Sequence, residues 1–120
     1  MRKTSKRKNP VFKGDKTAME EMKILGRENG SLKIALSGEV DSGNADAFYE
    51  GVLAAYAAGA ANIVFDCAEL DFIDSTTLGT FVKILKRVKT DGFKMSLINL
   101  KPKIKKLFLI CSLNSIMEIA

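Results

Sequence analysis

The chain has 120 residues, of which 47% are hydrophobic and 28% are charged, so one compact domain is expected and a fully disordered protein is excluded. It has no His and two Cys, Cys67 and Cys111, which excludes His-based catalysis and Cys/His zinc sites. No apolar run approaches the roughly 20 residues of a membrane helix, so membrane insertion is not expected. Without a recognisable secretory leader, we expect a cytoplasmic protein with reduced thiols.

The net charge of +5 comes from the N-terminal segment. Residues 1–16 carry seven Lys or Arg and one acid, a net charge of +6, and the rest of the chain carries −1. We interpret residues 1–18 as a basic tail, disordered or a non-native extension, and residues 19–120 as the folded domain. A nucleic-acid or anionic-membrane arm is the alternative. The tail lacks the interleaved aromatic residues that stack on bases, so direct nucleic-acid binding is not expected.

Strand and helix signals alternate from residue 22. Residues 22–27 form a short apolar stretch and residues 32–38 alternate apolar with small or polar side chains, which predicts two strands. The next apolar residues share one face of a helix that ends at Gly59. They are Ala45, Phe48, Tyr49, Val52, Leu53 and Tyr56. Residues 63–65 are a continuous β-branched and aromatic run, which predicts a short strand covered on both faces.

The second half of the chain continues with helix and strand in turn. A second helix ends at Asp91, and its apolar stripe comprises Leu78, Phe81, Val82, Leu85 and Val88. A strand over residues 95–98 precedes a third helix that begins at Pro102. Its predicted inner face comprises Ile104, Leu107, Phe108 and Cys111. Residues 116–119 are the last predicted strand.

The order β-β-α-β-α-β-α-β predicts an α/β fold in which helices pack against a mixed sheet. The predicted core of the sheet comprises Leu32, Ile34, Leu36, Ile63, Val64, Phe65, Leu97 and Ile98. The helices are expected to bury Phe48, Phe81, Leu85 and Phe108 against it.

Motifs for catalysis and ligand binding are scarce. The acids Asp66, Glu69, Asp71 and Asp74 crowd one predicted loop, where paired carboxylates suit acid–base work or a divalent ion. They follow no calcium-loop spacing, and we interpret them as solvated loop acids. The phosphate-binding patterns GxxxxGK[ST] and GxGxxG are absent. We therefore expect no catalytic residue, no metal and no cofactor, and we do not expect an enzyme.

Three hydroxyl residues, Ser75, Thr76 and Thr77, follow Asp74 at the start of the second predicted helix. In the simpler interpretation, Asp74 or Ser75 is an N-cap that accepts a hydrogen bond from the first turn. In the other, one hydroxyl accepts a phosphate, because a helix N-terminus tolerates added negative charge.

Three segments resemble motifs of the STAS domain family, and more narrowly of the bacterial anti-sigma factor antagonists. They are LSGEVD at residues 36–41, FIDSTTLG at 72–79 and KPKIKKLF at 101–108. The motifs occur in the family's order, and the resemblance spans residues 22–120. It implies a STAS-like mixed β-sheet with helices packed against it.

The resemblance also implies a partner switch. In that family, the Ser after the Asp of the second motif is phosphorylated by a serine kinase that is itself the anti-sigma factor. The unphosphorylated antagonist binds this kinase and frees the sigma factor, and a serine phosphatase resets the cycle. By position, the phosphoacceptor is Ser75, with Thr76 and Thr77 as rivals. The implied partner-binding residues are Asp41, Asp74, Ser75, Thr76 and Thr77.

The sequence departs from the family pattern at Thr77, which replaces a Gly. The alternative function is a STAS scaffold subunit of a phospholipid-transport ABC complex, which would bind its ATPase without phosphorylation.

Overall fold

The structure is a computed structural model that describes residues 19–120, and the predictions for the basic tail lie outside this range. Its elements follow the predicted order. They are β1 (Met22–Glu28), β2 (Ser31–Val40), α1 (Ala45–Ala57), β3 (Asn62–Ile73), α2 (Ser75–Thr90), β4 (Met95–Ile98), α3 (Pro102–Ile110) and β5 (Glu118–Ile119). A single 3₁₀ turn over Leu113–Ser115 lies between α3 and β5.

The five strands form one mixed sheet in the order β1-β2-β3-β4-β5. β1 and β2 form an antiparallel hairpin, and β2 to β5 are parallel neighbours joined through the helices. Right-handed crossovers between successive parallel neighbours place every connecting helix on the same face of the sheet. The carboxyl ends of the parallel strands therefore share one edge with the N-termini of the helices.

Aromatic side chains join the three helices to the sheet. The ring of Phe65 on β3 lies 5.8 Å from that of Phe48 on α1 and 5.3 Å from that of Phe81 on α2. Phe81 in turn lies 5.5 Å from Phe108 on α3. All four rings are fully buried, as predicted, and Leu85 is also buried. One closed core on one side of the sheet results.

None of the helices within residues 19–120 covers the opposite face of the sheet. Val64 and Ile98, which were expected in the core, are only half-buried because they point to this open face. The prediction that residues 63–65 are covered on both faces was therefore wrong. The strands follow one another in sequence order across the sheet, so all right-handed crossovers lie on one face and the other face stays open.

Two element boundaries and the buried face of one helix also differ from the prediction. β3 continues to Ile73, so Asp66, Glu69 and Asp71 belong to a strand rather than to a loop. On α3, Ile104 and Phe108 alone form the buried face, while Leu107 and Cys111 are exposed. The last strand is restricted to Glu118–Ile119, because the N–H groups of Ile116 and Met117 bond back to the carbonyl of Leu113 at the end of the 3₁₀ turn.

The long β3 carries the sheet as far as the candidate site. It pairs with β2 up to the partners Val40 and Ile73, so both strands end side by side. The ladder is irregular on either side of Gly38, whose φ of +66° lies in the left-handed region that favours glycine. Beyond this irregularity, Glu39 and Val40 extend β2 past the predicted end at Gly38.

Candidate functional site

The candidate site lies at the edge where β2 and β3 end and where α1 and α2 begin. Two short connections form it, residues 41–44 after β2 and Asp74 after β3. Because both strands are parallel and end side by side, the two connections meet.

Asp74 is the N-cap of α2. Its backbone is extended, and one carboxylate oxygen, Oδ1, accepts a hydrogen bond of 3.0 Å from the N–H of Thr77. The other oxygen, Oδ2, accepts a bond of 2.9 Å from the N–H of Ser42. The carboxylate thus satisfies a free donor of the first helical turn and also ties α2 to the connection after β2. Of the two N-cap candidates, Asp74 holds the position and Ser75 is the first helical residue.

The same contacts determine the protonation state of Asp74. The hydrogen bond from the Thr77 N–H is the main cause that holds the pKa of this carboxyl below its usual value, and the bond from Ser42 acts in the same direction. Both donors favour the ionised form. Asp74 therefore carries a negative charge at neutral pH.

Thr77 is fully buried, and its hydroxyl is engaged in the interior. Oγ1 lies 2.6 Å from the carbonyl oxygen of Val40 and 3.0 Å from Oδ1 of Asp74. A hydroxyl has one proton to donate, and the shorter distance assigns it to Val40. Thr77 therefore joins α2 to the end of β2, and its expected roles as a rival acceptor and a partner-binding residue do not fit its position.

Ser75 and Thr76 have exposed side chains. Asp41 is half-buried and shapes its own connection, since its Oδ1 accepts a bond of 2.9 Å from the N–H of Gly43. Its own N–H donates over 2.9 Å to the side-chain oxygen of Asn44. The structure thus brings Asp41, Asp74, Ser75 and Thr76 to one edge of the sheet, where two exposed hydroxyl side chains accompany two acids.

Sequence reasoning missed two contributors to this edge. Ser42 supplies the backbone donor that binds Asp74 across 32 residues, and no local signal marks it. Phe72, beside the site at the end of β3, leaves 45% of its side chain exposed. The exposed pair Asp71 and Phe72 lies between the buried residues Leu70 and Ile73. Because this stretch was interpreted as a loop, the exposure of Phe72 was not predicted.

Other chemistries find little support in the part of the chain that the structure describes. Residues 19–120 contain no group of three or more His, Cys, Asp or Glu that could hold a metal ion. Burial raises the pKa of Cys67 to about 12, which keeps its thiol protonated. No helix within the described range has the length and apolar character needed to cross a membrane.

The comparisons with known proteins agree with this architecture. Residues 23–120 match the family model described as the STAS domain. The chain belongs to the STAS domain family. It is 30% identical over 94 residues to the anti-sigma-B factor antagonist of Bacillus subtilis, a match that covers 78% of this chain and 85% of the relative.

Solved structures share the STAS fold. A candidate anti-sigma factor antagonist of Thermotoga maritima superposes with a TM-score of 0.74 at 24% identity, covering 87% of each chain. The Bacillus cell fate determinant SpoIIAA in its phosphorylated form superposes with a TM-score of 0.65 at 22% identity, covering 82% of this chain and 90% of that one. The five-stranded mixed sheet with three helices is thus the fold of the anti-sigma factor antagonists, which are in general binding proteins rather than enzymes.

Proposed function

We propose that this STAS domain is an anti-sigma factor antagonist that works as a phosphorylation-controlled partner switch. In its unphosphorylated form it binds an anti-sigma factor serine kinase in the cytoplasm and thereby releases the sigma factor. Phosphorylation of Ser75 breaks this complex, and a serine phosphatase restores the binding form. The switch controls transcription without a catalytic residue of the antagonist itself.

The exposure of Ser75 at the start of α2 is the observation that carries the proposal. A kinase must bring the γ-phosphorus of ATP close to the acceptor oxygen, so only an accessible hydroxyl can react. The Ser75 Oγ forms the new P–O bond, the bond to the ADP oxygen breaks, and the hydroxyl proton passes to a base of the kinase. Thr77 cannot react in this way, because its hydroxyl is buried against Val40.

Charge and position explain why a phosphate would end partner binding. The phosphate adds about −1.5 to −2 charge at pH 7. It would stand next to the ionised Asp74 and near Asp41, so a partner that covers this edge would have to bury a dianion among acids. The exposed Phe72 lies beside the same edge and favours a partner with an apolar contact there. The structure of SpoIIAA in its phosphorylated form, which shares this fold, adds support.

The test is phosphorylation by a cognate anti-sigma factor kinase with ATP, followed by mass-spectrometric mapping of the modified residue. We expect a single phosphate on Ser75 in the wild-type protein and none in Ser75→Ala. Because Asp74 is the cap, Ser75→Ala leaves the start of α2 intact. Thr76→Ala is the matched control, since it removes the neighbouring exposed hydroxyl, and it should be phosphorylated as the wild type is.

Binding measurements complete the test. By isothermal titration, Ser75→Ala should bind the kinase as the unphosphorylated protein does, while the phosphorylated protein should bind at least about tenfold more weakly, a loss of about 1.4 kcal/mol. Phosphate on Thr76 would move the acceptor by one residue. If an authenticated partner kinase leaves residues 74–77 unmodified, the switch is refuted and the non-phosphorylated scaffold becomes the better hypothesis.

A further inference from the structure

The end of the domain opposite the candidate site exposes a concentration of apolar side chains. The helices begin at the edge of the candidate site, so they end at the opposite edge of the sheet. Residues 19–120 expose six large apolar side chains, and four of them lie at the end of α3 or shortly after it. These four are Leu107, Leu109, Ile110 and Ile116. Ile110 protrudes most, since 67% of it is exposed.

The same stretch of the chain is basic. Residues 92–117 contain five Lys and no Asp, Glu or Arg. On α3, Ile104 and Phe108 face the core. At 3.6 residues per turn, two lysines and two apolar residues point away from that buried face. They are Lys103, Lys106, Leu109 and Ile110, which we call the outer face of α3, and all four are exposed.

A groove next to Ile116 adds two further lysines. It has a volume of about 340 Å³ and lies between the end of α2, the start of β4 and the residues after α3. Lys89 and Lys94 line it, together with one acid, Glu118. Neither lysine takes part in a salt bridge within residues 19–120. The groove has a buried apolar floor that comprises Leu85, Met95 and Met117. We call the outer face of α3, Ile116 and this groove together the basic end.

We propose that the basic end binds the surface of an anionic lipid bilayer. Leu109 and Ile110 enter the boundary between headgroups and acyl chains, and the lysines bind lipid phosphates. Lys106 lies about 6 Å before Ile110 along the helix axis. The headgroup layer on each side of a bilayer is about 5 to 8 Å thick, so both side chains reach their preferred depth at once. Long lysine side chains adjust further, because their apolar stems bend towards the phosphates.

Shape and charge favour a bilayer over a protein as the occupant. The apolar residues stand on the convex outer side of a helix and not in a pocket. A fluid bilayer adapts to such a surface, whereas a protein partner must supply a matching cavity. Lysines beside exposed Leu and Ile are typical of helices that lie in the interface of anionic membranes. The binding is interfacial, so it requires no helix that crosses the membrane.

The proposal extends beyond the partner switch, because lipid binding requires neither kinase nor phosphate. Ser75 lies at the start of α2, at the opposite edge of the sheet. A domain that binds a bilayer through the basic end therefore leaves the candidate site accessible.

The test uses the full chain, which has no Trp, so that Ile110→Trp introduces a single fluorescent reporter at an exposed position. With vesicles of phosphatidylcholine and phosphatidylglycerol at about two to one, we expect the emission to move to shorter wavelengths. Bromine atoms on the acyl chains should quench it. Vesicles of phosphatidylcholine alone should cause no shift. At about 0.5 M NaCl, where the Debye length is only about 4 Å, the shift should shrink.

Leu25→Trp is the matched reporter, because Leu25 is 47% exposed on β1, outside the basic end. Its emission should not change when the protein binds vesicles. This control also detects recruitment by the basic residues 1–16, since such recruitment gives co-sedimentation with vesicles without a shift at position 110. That result, or equal shifts of the two reporters, would refute the proposal.

Substitutions test the apolar contribution in the otherwise unchanged protein. Ile110→Gln should weaken partitioning into the anionic vesicles about tenfold, because a large aliphatic side chain no longer leaves water. Leu25→Gln makes a matched change on β1 and should alter partitioning by less than about twofold. If Ile110→Gln and Leu25→Gln have the same effect, the outer face of α3 is not the binding surface.

A second pair of variants tests the charge. Lys103→Gln with Lys106→Gln should weaken partitioning at least about tenfold, since each lysine near an anionic surface strengthens binding about fivefold. Lys23→Gln with Lys83→Gln removes the same charge from two exposed lysines outside the basic end, and it should have a much smaller effect. Equal losses would mean that only the net charge of the chain matters, which contradicts the proposal.

The reporter also identifies other occupants. If the emission of Ile110→Trp shifts with protein concentration in the absence of vesicles, a second copy covers the outer face of α3, and the bilayer proposal is overturned. If vesicles cause no shift, a protein partner becomes the better hypothesis for this surface. Because no kinase is present, either result leaves the partner switch standing. Failure of Ser75 phosphorylation would equally leave the vesicle result unaffected.

Discussion

The hydroxyl of Thr77 makes a contact whose energy can be measured. Thr77→Val keeps the β-branched shape and nearly the same volume, so it removes the hydroxyl without leaving a cavity. The carbonyl of Val40 then loses the donor that lies 2.6 Å away in a fully buried position. A buried polar group left without its partner costs about 1 to 3 kcal/mol. We therefore expect Thr77→Val to lower the free energy of unfolding by that amount.

Urea denaturation followed by circular dichroism measures this loss. With a slope of about 2 kcal/mol per molar urea, the midpoint should fall by roughly 0.5 to 1.5 M while the slope is unchanged. Thr76→Val is the matched control, because it makes the same chemical change one residue earlier on an exposed side chain. It should alter stability by no more than about 0.5 kcal/mol. Equal effects of the two substitutions would refute the assignment of Thr77 as the link between α2 and β2.

Three other predictions concern the aromatic core, the two separate cysteine thiols and the N-cap Asp74. Phe81→Ala should destabilise the fold by about 3 to 5 kcal/mol in urea denaturation, because three aromatic rings lose their common neighbour. A thiol reagent should modify Cys111 rapidly and Cys67 only after unfolding, since Cys67 is buried with a pKa of about 12. A carboxyl ¹³C titration should give Asp74 a pKa below its usual value of about 3.9. Its stabilising effect is therefore present above that value and is lost as the pH falls through the lower folded pKa, a dependence that Asp74→Asn should abolish.

Periodicity predicted the order of the elements because each helix and each central strand has one apolar face to bury. The rings of Phe48, Phe81 and Phe108 are buried where the helical spacing places them. Residues 66–73 were misassigned because they do not alternate. The buried residues Cys67, Leu70 and Ile73 are three positions apart, and the pairing of this stretch with β2 is irregular. Leu107 was misassigned because an apolar residue near the inner stripe of a helix need not be covered, and here 37% of it is exposed.

Contacts between distant segments were out of reach of any local pattern. Arg27 on β1 donates a hydrogen bond of 2.7 Å to the carbonyl of Ala55, near the C-terminal end of α1, whose last turn has no basic residue of its own. Tyr56 on α1 likewise donates over 2.7 Å to Asp91, the C-cap of α2. Both pairs stabilise helix ends through residues 28 or more positions away. From the local sequence, Arg27 is only a charged strand residue and Tyr56 only a core aromatic. Their contacts with the ends of α1 and α2 cannot be predicted from it.

The candidate site likewise combines features that the local sequence predicts with contacts between distant segments. The pattern Asp-Ser-Thr-Thr predicts a capped helix start, and the structure confirms that start with Asp74 as the cap. Which hydroxyl is exposed depends on the end of β2, because the side chain of Thr77 turns inward to the carbonyl of Val40. The departure from the family's Gly thus has a structural use, since Thr77 fastens α2 to the sheet and leaves its neighbours outside. An exposed Ser75 on a firmly held helix start combines access for a partner with a fixed position for the hydroxyl.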